Sequence, residues 1–436
     1  MVQQIFFNNR IAVLGLGYVG LPLAIEFSRK FNVVGYDINL NKIKNLKKKI
    51  NIPEISKNDY HYLDRITFAR KKNLLKSCNI FIITVPTPIY PNKKPDLRSL
   101  TNATEVVANL LKPKDLVIYE STVYPGTLEE ICIPRLEKIS KLKCLKDDNE
   151  LKLKKKENYF TCGYSSERMN PSDRTHILKN VNKVVAGSTK ETAIFMKKLY
   201  QSIISANVYV VKNIKTAEAS KMLENIQRDL NIALMNEVSI IFNKMGIKTT
   251  DVINAAATKW NFSTYYPGLV GGHCIGVDPY YMSFKAKKIG VNSKLITNGR
   301  IVNDNMAKYV SKNFLDQLKK KNKRKKKILI MGITFKENCE DIRNSKVVDL
   351  YKYIVSKDVL VDIYDPLANP KDLKKMYNLK LIKKISKNTY DGIIIAVRHL
   401  EFKTLGLKKI KNFCKKDPII FDLKSVFINQ KTDFSL

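Results

Sequence analysis

Three glycines near the N-terminus constrain this chain more than any other feature of its sequence. Gly15, Gly17 and Gly20 form a Gly-x-Gly-x-x-Gly pattern that starts directly after the apolar run Arg10–Leu14. The next residues, Leu21 to Lys30, have the spacing of apolar side chains that is typical of a helix. A short strand that passes through glycines into a helix predicts the first βαβ unit of a dinucleotide-binding fold.

Each glycine has a physical reason in such a unit. The first permits a tight turn, the second lets the backbone approach a pyrophosphate, and the third lets helix and strand pack closely. The helix N-terminus then offers its amide groups to the phosphates. The sequence therefore predicts cofactor binding by Gly15, Gly17, Tyr18, Val19 and Gly20.

An acidic residue ends the next apolar run, Val33–Asp37, at the expected distance from the glycines. A carboxylate in this position bonds the ribose hydroxyls, and its charge repels the additional phosphate of NADP. We therefore expect NAD as the cofactor and Asp37 as its ribose ligand.

Two further apolar runs, Asn79–Val85 and Leu116–Glu120, read as buried strands of the same sheet. Strands that alternate with helical stretches predict a doubly wound parallel sheet, which binds ligands at the carboxyl ends of its strands. The candidate cofactor ligands at these ends are Thr84, Pro86, Thr87, Glu120, Ser121 and Thr122.

The longest helical pattern runs from Thr216 to Gly246 without an internal proline or glycine. Four polar residues share one face of this helix because they lie three or four positions apart. They are Glu218, Lys221, Asn225 and Asp229. The pattern alone favours a solvated surface, while the sharper alternative is that Lys221 and Asn225 face a substrate.

A glycine-rich segment, 265–279, surrounds one cysteine, Cys274, and ends near Asp278. Glycines let the backbone fold close to a ligand. A thiol becomes a useful nucleophile when nearby positive charge lowers its pKa, and Lys221 could supply that charge. The neighbouring His273 is interpreted as structural, because adjacent side chains generally point apart.

The last third of the chain alternates again between strands and helices, without a full glycine pattern. Its strands are Lys326–Met331, Val359–Asp365, Gly392–Val397 and Ile419–Asp422, and Ser345–Val355 is its first helix. We predict an α/β protein with two Rossmann-like doubly wound parallel-sheet domains, joined by a central helical domain that carries one long helix. The predicted boundaries are 1–212, 213–318 and 319–436.

Composition excludes several classes of protein. The 436 residues are 44% hydrophobic, so disorder is excluded, yet no apolar run reaches the roughly 18 residues of a membrane span. Seven cysteines without a Cys-x-x-Cys pair indicate a reducing, cytoplasmic setting. The four histidines lie far apart in sequence, so we expect no metal site.

The formal net charge of +38 raises the question of nucleic acid. Lysine supplies 65 of the 78 basic residues, whereas base readout depends mainly on arginine. The lysines are spread along the whole chain, and the runs 152–156 and 319–327 lack interleaved aromatic residues. We therefore expect no nucleic-acid partner, although the charge would attract anionic substrates.

Taken together, the motifs resemble the UDP-glucose/GDP-mannose dehydrogenase family over nearly the whole chain. The resemblance is closest to the branch that oxidises UDP-N-acetylhexosamines for bacterial surface polysaccharides. It rests on Gly-Leu-Gly-Tyr-Val-Gly-Leu-Pro at 15–22, Val-Pro-Thr-Pro at 85–88, Glu-Ser-Thr-Val-Tyr-Pro-Gly-Thr at 120–127, residues 218–237, Lys-Trp-Asn-Phe at 259–262, the segment 267–281 and Phe-Lys-Glu-Asn-Cys-Glu-Asp-Ile-Arg-Asn-Ser at 335–345.

The resemblance implies oxidation of the sugar C6 hydroxyl to a carboxylate in two NAD-dependent steps. Cys274 matches the family nucleophile, which traps the aldehyde as a thiohemiacetal that becomes a thioester. Lys221 and Asn225 match the residues that hold the reacting oxygen, and Asp278 matches the acid that handles protons. Glu167 matches the acid of thioester hydrolysis, and Thr122 a residue that orders water.

The resemblance also implies a UDP-sugar substrate and a homodimer built on the long central helix. The residues it assigns to substrate binding are Glu167, Arg168, Lys221, Asn225, Tyr265, Tyr266, Gly268, Gly271, Gly272, Lys336 and Arg343.

The chain departs from the family pattern in a few places. The usual Ser-Pro-Glu-Arg reads Ser-Ser-Glu-Arg at 165–168, and a Lys-rich insertion near 142–157 precedes it. Ser166 in place of proline could loosen Glu167 and slow hydrolysis more than hydride transfer.

Three alternatives remain open. The substrate could be UDP-glucose, because no motif reads C2 or C4 of the sugar. The enzyme could stop after one oxidation, although Cys274 argues against that. The chain could also be a non-catalytic nucleotide-sugar binding protein with some affinity for RNA, although its intact catalytic residues argue against decay.

Overall fold

A computed structural model describes residues 9–147, 158–166, 177–320, 326–428 and 430–436. The chain divides into two compact units. The first contains residues 1–224 and 280–289, and the second contains residues 225–279 and 290–436. This division into two units does not test the boundaries of the three predicted domains, which remain a prediction.

The first unit is built on a sheet of the predicted doubly wound type. In spatial order its strands are β3-β2-β1-β4-β5-β7-β8-β9, and β6 pairs with β7. They are β1 (Arg10–Leu14), β2 (Asn32–Tyr36), β3 (Ile66–Ala69), β4 (Ile80–Ile83), β5 (Leu116–Tyr119), β6 (Lys143–Cys144), β7 (Tyr159–Ser165), β8 (Lys183–Gly187) and β9 (Val208–Val210).

The strand order places the cofactor candidates at one edge. The described pairs are parallel except for β7 with β8, which is antiparallel. The order reverses between β1 and β4, and a crevice opens at such a reversal, outside the carboxyl ends of the strands. The glycine turn after β1 and Thr84 after β4 therefore lie side by side.

Helices cover both faces of this sheet. The α-helices of the first half are α1 (Gly20–Ser28), α2 (Leu40–Lys48), α3 (Arg98–Ala108), α4 (Ile133–Ser140) and α5 (Lys190–Gln201). Shorter helical turns are Lys57–Arg65, Lys72–Ser77, Leu128–Cys132 and Leu178–Asn180. Successive residues of β1 enter opposite cores: Ala12 packs in one hydrophobic cluster and Val13 in the other.

The long helix α6 (Ile214–Met245) matches the predicted helix closely and belongs in part to each unit. Asn213 begins it by accepting the amide of Thr216 on its side chain. Gly246 ends it in a left-handed conformation with φ of +73°, as helix C-termini favour. The following helices are α7 (Thr249–Ala256), α8 (Asp278–Lys288) and α9 (Lys294–Lys319).

The second unit carries a parallel sheet in the order β11-β10-β12-β13-β14. Its order reverses between β10 and β12, which creates a second crevice of the same kind. The strands are β10 (Lys327–Met331), β11 (Leu360–Tyr364), β12 (Tyr390–Ile395), β13 (Cys414–Asp422) and β14 (Phe434–Ser435). The helices are α10 (Lys346–Val355), α11 (Pro370–Tyr377), α12 (Leu400–Leu405) and α13 (Leu407–Lys411).

These two sheets and the helices between them confirm the predicted fold class. Within the described residues, no helix combines the length and the apolar character that crossing a bilayer requires.

Candidate active site and nucleotide pocket

The glycine turn has the geometry that the sequence predicts for its first and third glycines. Gly15 has φ of +95°, and its amide donates to the carbonyl oxygen of Tyr36 at 2.8 Å. A Cβ atom on Gly20 would overlap the carbonyl oxygen of Gly15 and the hydroxyl of Thr84. The turn and the start of α1 therefore pack too closely for any side chain at Gly20.

Gly17 differs from these two glycines, because a Cβ atom there would meet no atom of the described residues within 4 Å. Protein packing therefore gives no reason for a glycine at this position, whereas close approach by a pyrophosphate does. In the described chain, no side chain caps α1 at Val19, so the helix N-terminus is suited to an anion. Tyr18 and Val19 lie within this turn, and the residues present fit a dinucleotide.

Asp37 follows β2 and reaches back to the glycine turn. One carboxylate oxygen accepts the amide of Leu16 at 2.9 Å, and the other accepts the amide of Asn39 at 2.8 Å. The two bonds fix the orientation of the carboxylate beside the turn. This placement agrees with a ribose ligand, and the negative charge disfavours an additional phosphate.

Hydroxyl groups tie the strand ends of the crevice together. Thr84 donates to the carbonyl oxygens of Leu14 and Gly15, at 3.0 and 2.7 Å. Ser121 donates to the carbonyl oxygen of Val85 at 2.7 Å, and Thr87 donates to that of Thr122 at 2.6 Å. These hydroxyls therefore shape the loops, with Pro86 exposed between them.

Glu120 lies in a buried polar cluster at the end of β5. One carboxylate oxygen is 2.9 Å from the ammonium of Lys183, and the other accepts the hydroxyl of Tyr200. Lys183 also lies 3.4 Å from the carbonyl oxygen of Ser166. Both oxygens of Glu120 thus have partners within the protein, so its assignment as a cofactor ligand stays a prediction.

The polar face of α6 is buried, so the expectation of a solvated surface is wrong. Glu218, Lys221, Asn225 and Asp229 are all at most 5% exposed. A buried charge is retained only where partners compensate for its lost hydration. Apolar residues on the adjoining face gave no sign of this burial, because spacing shows which residues share a face and not what covers that face.

Glu218 is anchored to the loop that follows Thr122. Its carboxylate accepts the amides of Gly126 at 2.5 Å and Leu128 at 3.0 Å. Burial raises the pKa of this carboxyl to about 8, although the two amide donors act in the opposite direction. Lys221 lies one helical turn further along α6, so Glu218 ties the Thr122 loop to the helix that carries Lys221.

Cys274, Asp278 and Asn225 come together in the second unit. The amide nitrogen of Asp278 donates to the carbonyl oxygen of Cys274 at 2.8 Å. The carboxylate of Asp278 accepts the side-chain amide of Asn225 at 2.5 Å and is 1% exposed. Cys274 is partly exposed, whereas the cysteines of the described chain are otherwise buried. The accessible cysteine therefore lies one helical turn before an acid that is itself ordered by an amide.

Further along α6, Asn236 holds the glycine-rich loop. Its side chain accepts the amide of Gly268 at 2.8 Å and donates to the carbonyl oxygen of the same residue at 3.0 Å. Asn236 also donates to Asn303, which in turn donates to Asp229. Arg300 bonds the same carboxylate of Asp229. The loop is therefore anchored in a buried polar network between α6 and α9.

The glycines of this loop permit close contacts with the connection between β10 and α10. A Cβ atom on Gly271 would overlap the carbonyl oxygen of Asn344. Gly272 has φ of +85° and donates its amide to the same oxygen at 3.2 Å. Tyr265 is half-buried and Tyr266 is 52% exposed at the start of the loop.

A pocket opens at the carboxyl ends of β10, β12 and β13. Its lining includes Lys336 from the sequence prediction and Lys424, which the sequence analysis missed. Burial lowers the pKa of the Lys424 ammonium, which Glu337 opposes and Arg398 reinforces. Lys346 also lines the pocket, but its ammonium lies 3.0 Å from carboxylate oxygens of Asp304 and Asp349. The ammonium groups of Lys336 and Lys424 suit an anionic ligand such as a diphosphate. Lys424 follows a strand in a lysine-rich chain, so no local signal distinguished it.

Arg343 and His273 both face Asp341. Arg343 bonds the two carboxylate oxygens, with its Nη2 atom at 2.6 Å, and the Nε2 atom of His273 lies at 3.4 Å. Burial opposes ionisation of Asp341, but His273 and Arg343 together hold the pKa of its carboxyl well below the usual range. His273 thus has a structural partner, and the assignment of Arg343 to substrate stays a prediction.

Two predicted site residues, Glu167 and Arg168, lie outside the described residues, as does most of the Lys-rich insertion. Within the described ranges, no group of three or more His, Cys, Asp and Glu side chains is arranged to hold a metal ion.

Comparison with known proteins identifies three segments of one family. The NAD binding domain of the UDP-glucose/GDP-mannose dehydrogenase family matches residues 9–204. The central domain of that family matches residues 215–305, and its UDP binding domain matches residues 329–429. The two crevices thus fall in the segments that match NAD-binding and UDP-binding domains.

Similar full-length proteins include two bacterial enzymes. The UDP-N-acetyl-D-glucosamine 6-dehydrogenase of Pseudomonas aeruginosa is 45% identical over 98% of this chain and 99% of its own. The enzyme of the same name from Salmonella typhi is 44% identical over 98% of both chains. Among solved structures, the UDP-D-ManNAc dehydrogenase of Pyrococcus horikoshii has a TM-score of 0.85 at 30% identity, covering 98% of both chains.

Proposed function

Since the chain belongs to the UDP-glucose/GDP-mannose dehydrogenase family, we propose that it oxidises C6 of a UDP-N-acetylhexosamine to a carboxylate. It is an NAD-dependent UDP-sugar dehydrogenase. The proposal adds the four-electron course through Cys274 and the choice of an N-acetylated sugar.

One observation carries the chemical part of the proposal. The partly exposed thiol of Cys274 is followed after one turn by Asp278, whose buried carboxylate bonds Asn225 at 2.5 Å. A nucleophile beside an ordered acid and an amide donor is the arrangement that acyl chemistry requires. A dehydrogenase that stopped at the aldehyde would have no use for this thiol.

NAD, when bound at the glycine turn, accepts the hydride in each oxidation. Lys221 and Asn225 hold the C6 oxygen and stabilise its developing negative charge. Asp278 moves the proton of the C6 hydroxyl through water. Because Lys221 and Asn225 lie four residues apart on one helix, their side chains point to the same side.

After the first oxidation the Cys274 thiolate attacks the aldehyde carbon and forms a thiohemiacetal. The second oxidation converts this adduct to a thioester, which water hydrolyses to the carboxylate and the free thiol. Thr122 orders that water, and Glu167 handles its proton. The tie between Glu218 and the loop after Thr122 supports a fixed position for Thr122 relative to Lys221.

The pocket at β10, β12 and β13 binds the UDP moiety. Lys336 and Lys424 line it and supply positive charge for the two phosphates. Tyr265, Tyr266, Gly268, Gly271 and Gly272 form the loop that precedes Cys274, with Gly268 directly against the ammonium of Lys424. Arg168 and Arg343 complete the substrate-binding residues that we propose.

The choice of sugar rests on the relatives, because the two bacterial enzymes named above act on UDP-N-acetyl-D-glucosamine. UDP-glucose is the second candidate. The test measures NADH formed per sugar consumed with UDP-N-acetylglucosamine, UDP-N-acetylgalactosamine, UDP-glucose and GDP-mannose. We expect two NADH per sugar with UDP-N-acetylglucosamine; one NADH per sugar would contradict the four-electron course.

Cys274→Ser tests the thioester separately from binding. The variant should lose acid formation while it retains affinity for NAD and UDP. Cys414→Ser is the matched control, because this buried thiol at the start of β13 has no place in the chemistry. Undiminished acid production by Cys274→Ser would exclude the thioester.

We also propose that the protein acts as a homodimer in the cytoplasm, with no nucleic-acid partner. An exposed apolar face of α6, formed by Leu234, Ile241 and Met245, supports the dimer. The seven cysteines are all free thiols, which agrees with a reducing compartment.

A further inference from the structure

The turn that carries Lys336 is held from behind by a buried histidine. Residues 334–338 leave the carboxyl end of β10, and Thr334, Phe335, Lys336 and Glu337 all line the nucleotide pocket. Asn338 closes the turn in a left-handed conformation with φ of +52°. The amides at the two ends of the turn bond buried side chains, Thr334 to Asp365 and Asn338 to His399.

His399 supplies that support from the carboxyl end of β12. Its ring is fully buried and bonds the turn at both ends. The Nδ1 atom accepts the amide of Asn338 at 3.1 Å. The Nε2 atom lies 3.1 Å from the hydroxyl of Thr334 and 3.2 Å from a carboxylate oxygen of Asp365.

These partners fix the proton on the ring. A backbone amide can only donate, so Nδ1 carries no proton and the neutral ring carries its proton on Nε2. Asp365 can only accept, because it already receives the amides of Ile333, Thr334, Leu367 and Ala368. The Nε2–H group therefore points to Asp365 and Thr334.

The hydroxyl of Thr334 extends this link to Lys336 itself. It donates to the carbonyl oxygen of Lys336 at 2.9 Å, so its lone pair is available for Nε2–H of His399. His399 thus holds Lys336 through Thr334 on one side and through Asn338 on the other. Within the described lining of the pocket, Ala396 and Val397 appear but His399 does not.

We propose that His399 is a positioning residue for UDP binding, which fixes the Lys336 turn in its binding shape without touching the nucleotide. This inference rests on the proposed function, because it assumes that the pocket binds UDP. Loss of either bond would let the turn sample other shapes, and the pocket would then bind in only a fraction of molecules.

Two variants test the hydrogen bonds of the two ring nitrogen atoms separately. His399→Asn places an amide near Nδ1 and can still accept from Asn338, whereas His399→Gln reaches the Nε2 position and can still donate to Asp365. We expect each to weaken UDP binding, measured by calorimetry, by about tenfold or more, because a buried hydrogen bond is lost. NADH affinity, measured by fluorescence in the same samples, should stay unchanged. His61→Gln, at an exposed histidine of the first unit, is the control.

The outcomes separate the inference from the proposed function. Folded variants that bind UDP as tightly as the wild type would overturn the role of His399. A wild-type protein that binds no UDP and oxidises no UDP-sugar would instead overturn the proposed function.

A measurement on the wild type tests the role of His399 without requiring that the variants fold. Nitrogen-15 NMR of the four histidines should show one neutral ring with its proton on Nε2, and this ring should keep its tautomer when UDP is added, because the turn already has its binding shape. The opposite tautomer, or a tautomer that changes when UDP binds, would contradict the proposal.

Discussion

Two glycines of the same turn are constrained by different partners. A Cβ atom on Gly20 would overlap the backbone of Gly15, whereas one on Gly17 would meet no atom within 4 Å in the part of the chain that the structure describes. Gly20→Ala should therefore lower the stability of the fold by about 1–3 kcal/mol, as overpacking does. Gly17→Ala should fold normally but bind NADH at least about tenfold more weakly, since its methyl group would occupy the place of the pyrophosphate.

Thermal unfolding and NADH titration of both variants check this contrast. The control is Ala108→Gly at the end of α3, which measures the general effect of exchanging alanine and glycine in a helix. Gly290→Ala is unsuitable as a control, because Gly290 has φ of +79° and an alanine there would be strained. Equal loss of NADH affinity without any change in stability for both variants would contradict the distinction.

The Glu218 carboxyl makes a second prediction, because burial raises its pKa to about 8 from an ordinary value of 4.5. At a pH between these two pKa values, Glu218 is protonated in the folded protein and ionised in the unfolded chain. Its contribution to stability therefore falls as the pH rises from about 5 to 8, by up to about 1.4 kcal/mol per pH unit. Glu218→Gln cannot titrate and should lack this component.

Denaturant unfolding of the wild type and of Glu218→Gln at pH 5, 6, 7 and 8 measures this difference. We expect the stability advantage of the wild type to shrink as the pH rises. Glu237→Gln, at an exposed position of the same helix, is the control and should follow the wild type. A constant difference across the series would show that Glu218 does not titrate in this range.

At the scale of single residues, sequence predicts what has a local signature. The spacing of the glycines predicts their roles, and the distance of Asp37 from them in sequence predicts its role. Lys424 and His399 have no such signature, because one is a lysine among 65 and the other one of four scattered histidines. Only the order of the strands brings them to the edge of one pocket.

At the scale of elements, α6 shows how burial can reverse an interpretation. The sequence correctly predicts the helix, because Pro and Gly are absent until Gly246. It does not predict that the polar face is buried, since spacing reports which residues share a face and not what covers that face. The partners that compensate the buried face, such as Gly126 and Arg300, lie about 70 to 90 residues away in sequence.

A prediction for this helix concerns Asn236, which holds the loop that precedes Cys274. Its side chain satisfies both the amide and the carbonyl oxygen of Gly268 in a buried site. Asn236→Ala would leave these groups without that partner and loosen the loop that precedes Cys274. We expect the KM for the UDP-sugar to rise by about tenfold, with little change in the KM for NAD.

Steady-state kinetics with each substrate varied in turn distinguishes the two effects. Asn231→Ala is the matched control, because Asn231 lies on the same helix and donates to the carbonyl oxygen of Gln227 within that helix. If Asn236→Ala raised both KM values alike, a general loss of folded protein would explain the result better than a loosened loop.

At the scale of the whole molecule, the alternation of strands and helices was sufficient to predict both sheets. It could not predict the antiparallel pairing of β7 with β8, because alternation carries no information on strand direction. The charge of +38 likewise describes the surface as a whole and does not determine the fold.

The proposed homodimer gives the prediction at this scale. Leu234, Ile241 and Met245 are 55%, 47% and 64% exposed on α6. Their spacings of seven and four residues place them within about 40° of one another around the helix axis. In a two-fold interface the same face is used by both copies, so one substitution is present twice.

Leu234→Glu combined with Ile241→Glu should therefore convert a dimer to a monomer, as measured by light scattering during size-exclusion chromatography. Met376→Glu is the control, because Met376 is 48% exposed on α11, away from this face. The two introduced carboxylates would lose their hydration at the interface without gaining partners. The free-energy cost of this desolvation exceeds the stabilisation by the apolar contacts that they replace. A monomeric wild type, or a double variant that still dimerises, would exclude the α6 face as the interface and leave the exposed leucine and isoleucine as ordinary surface residues.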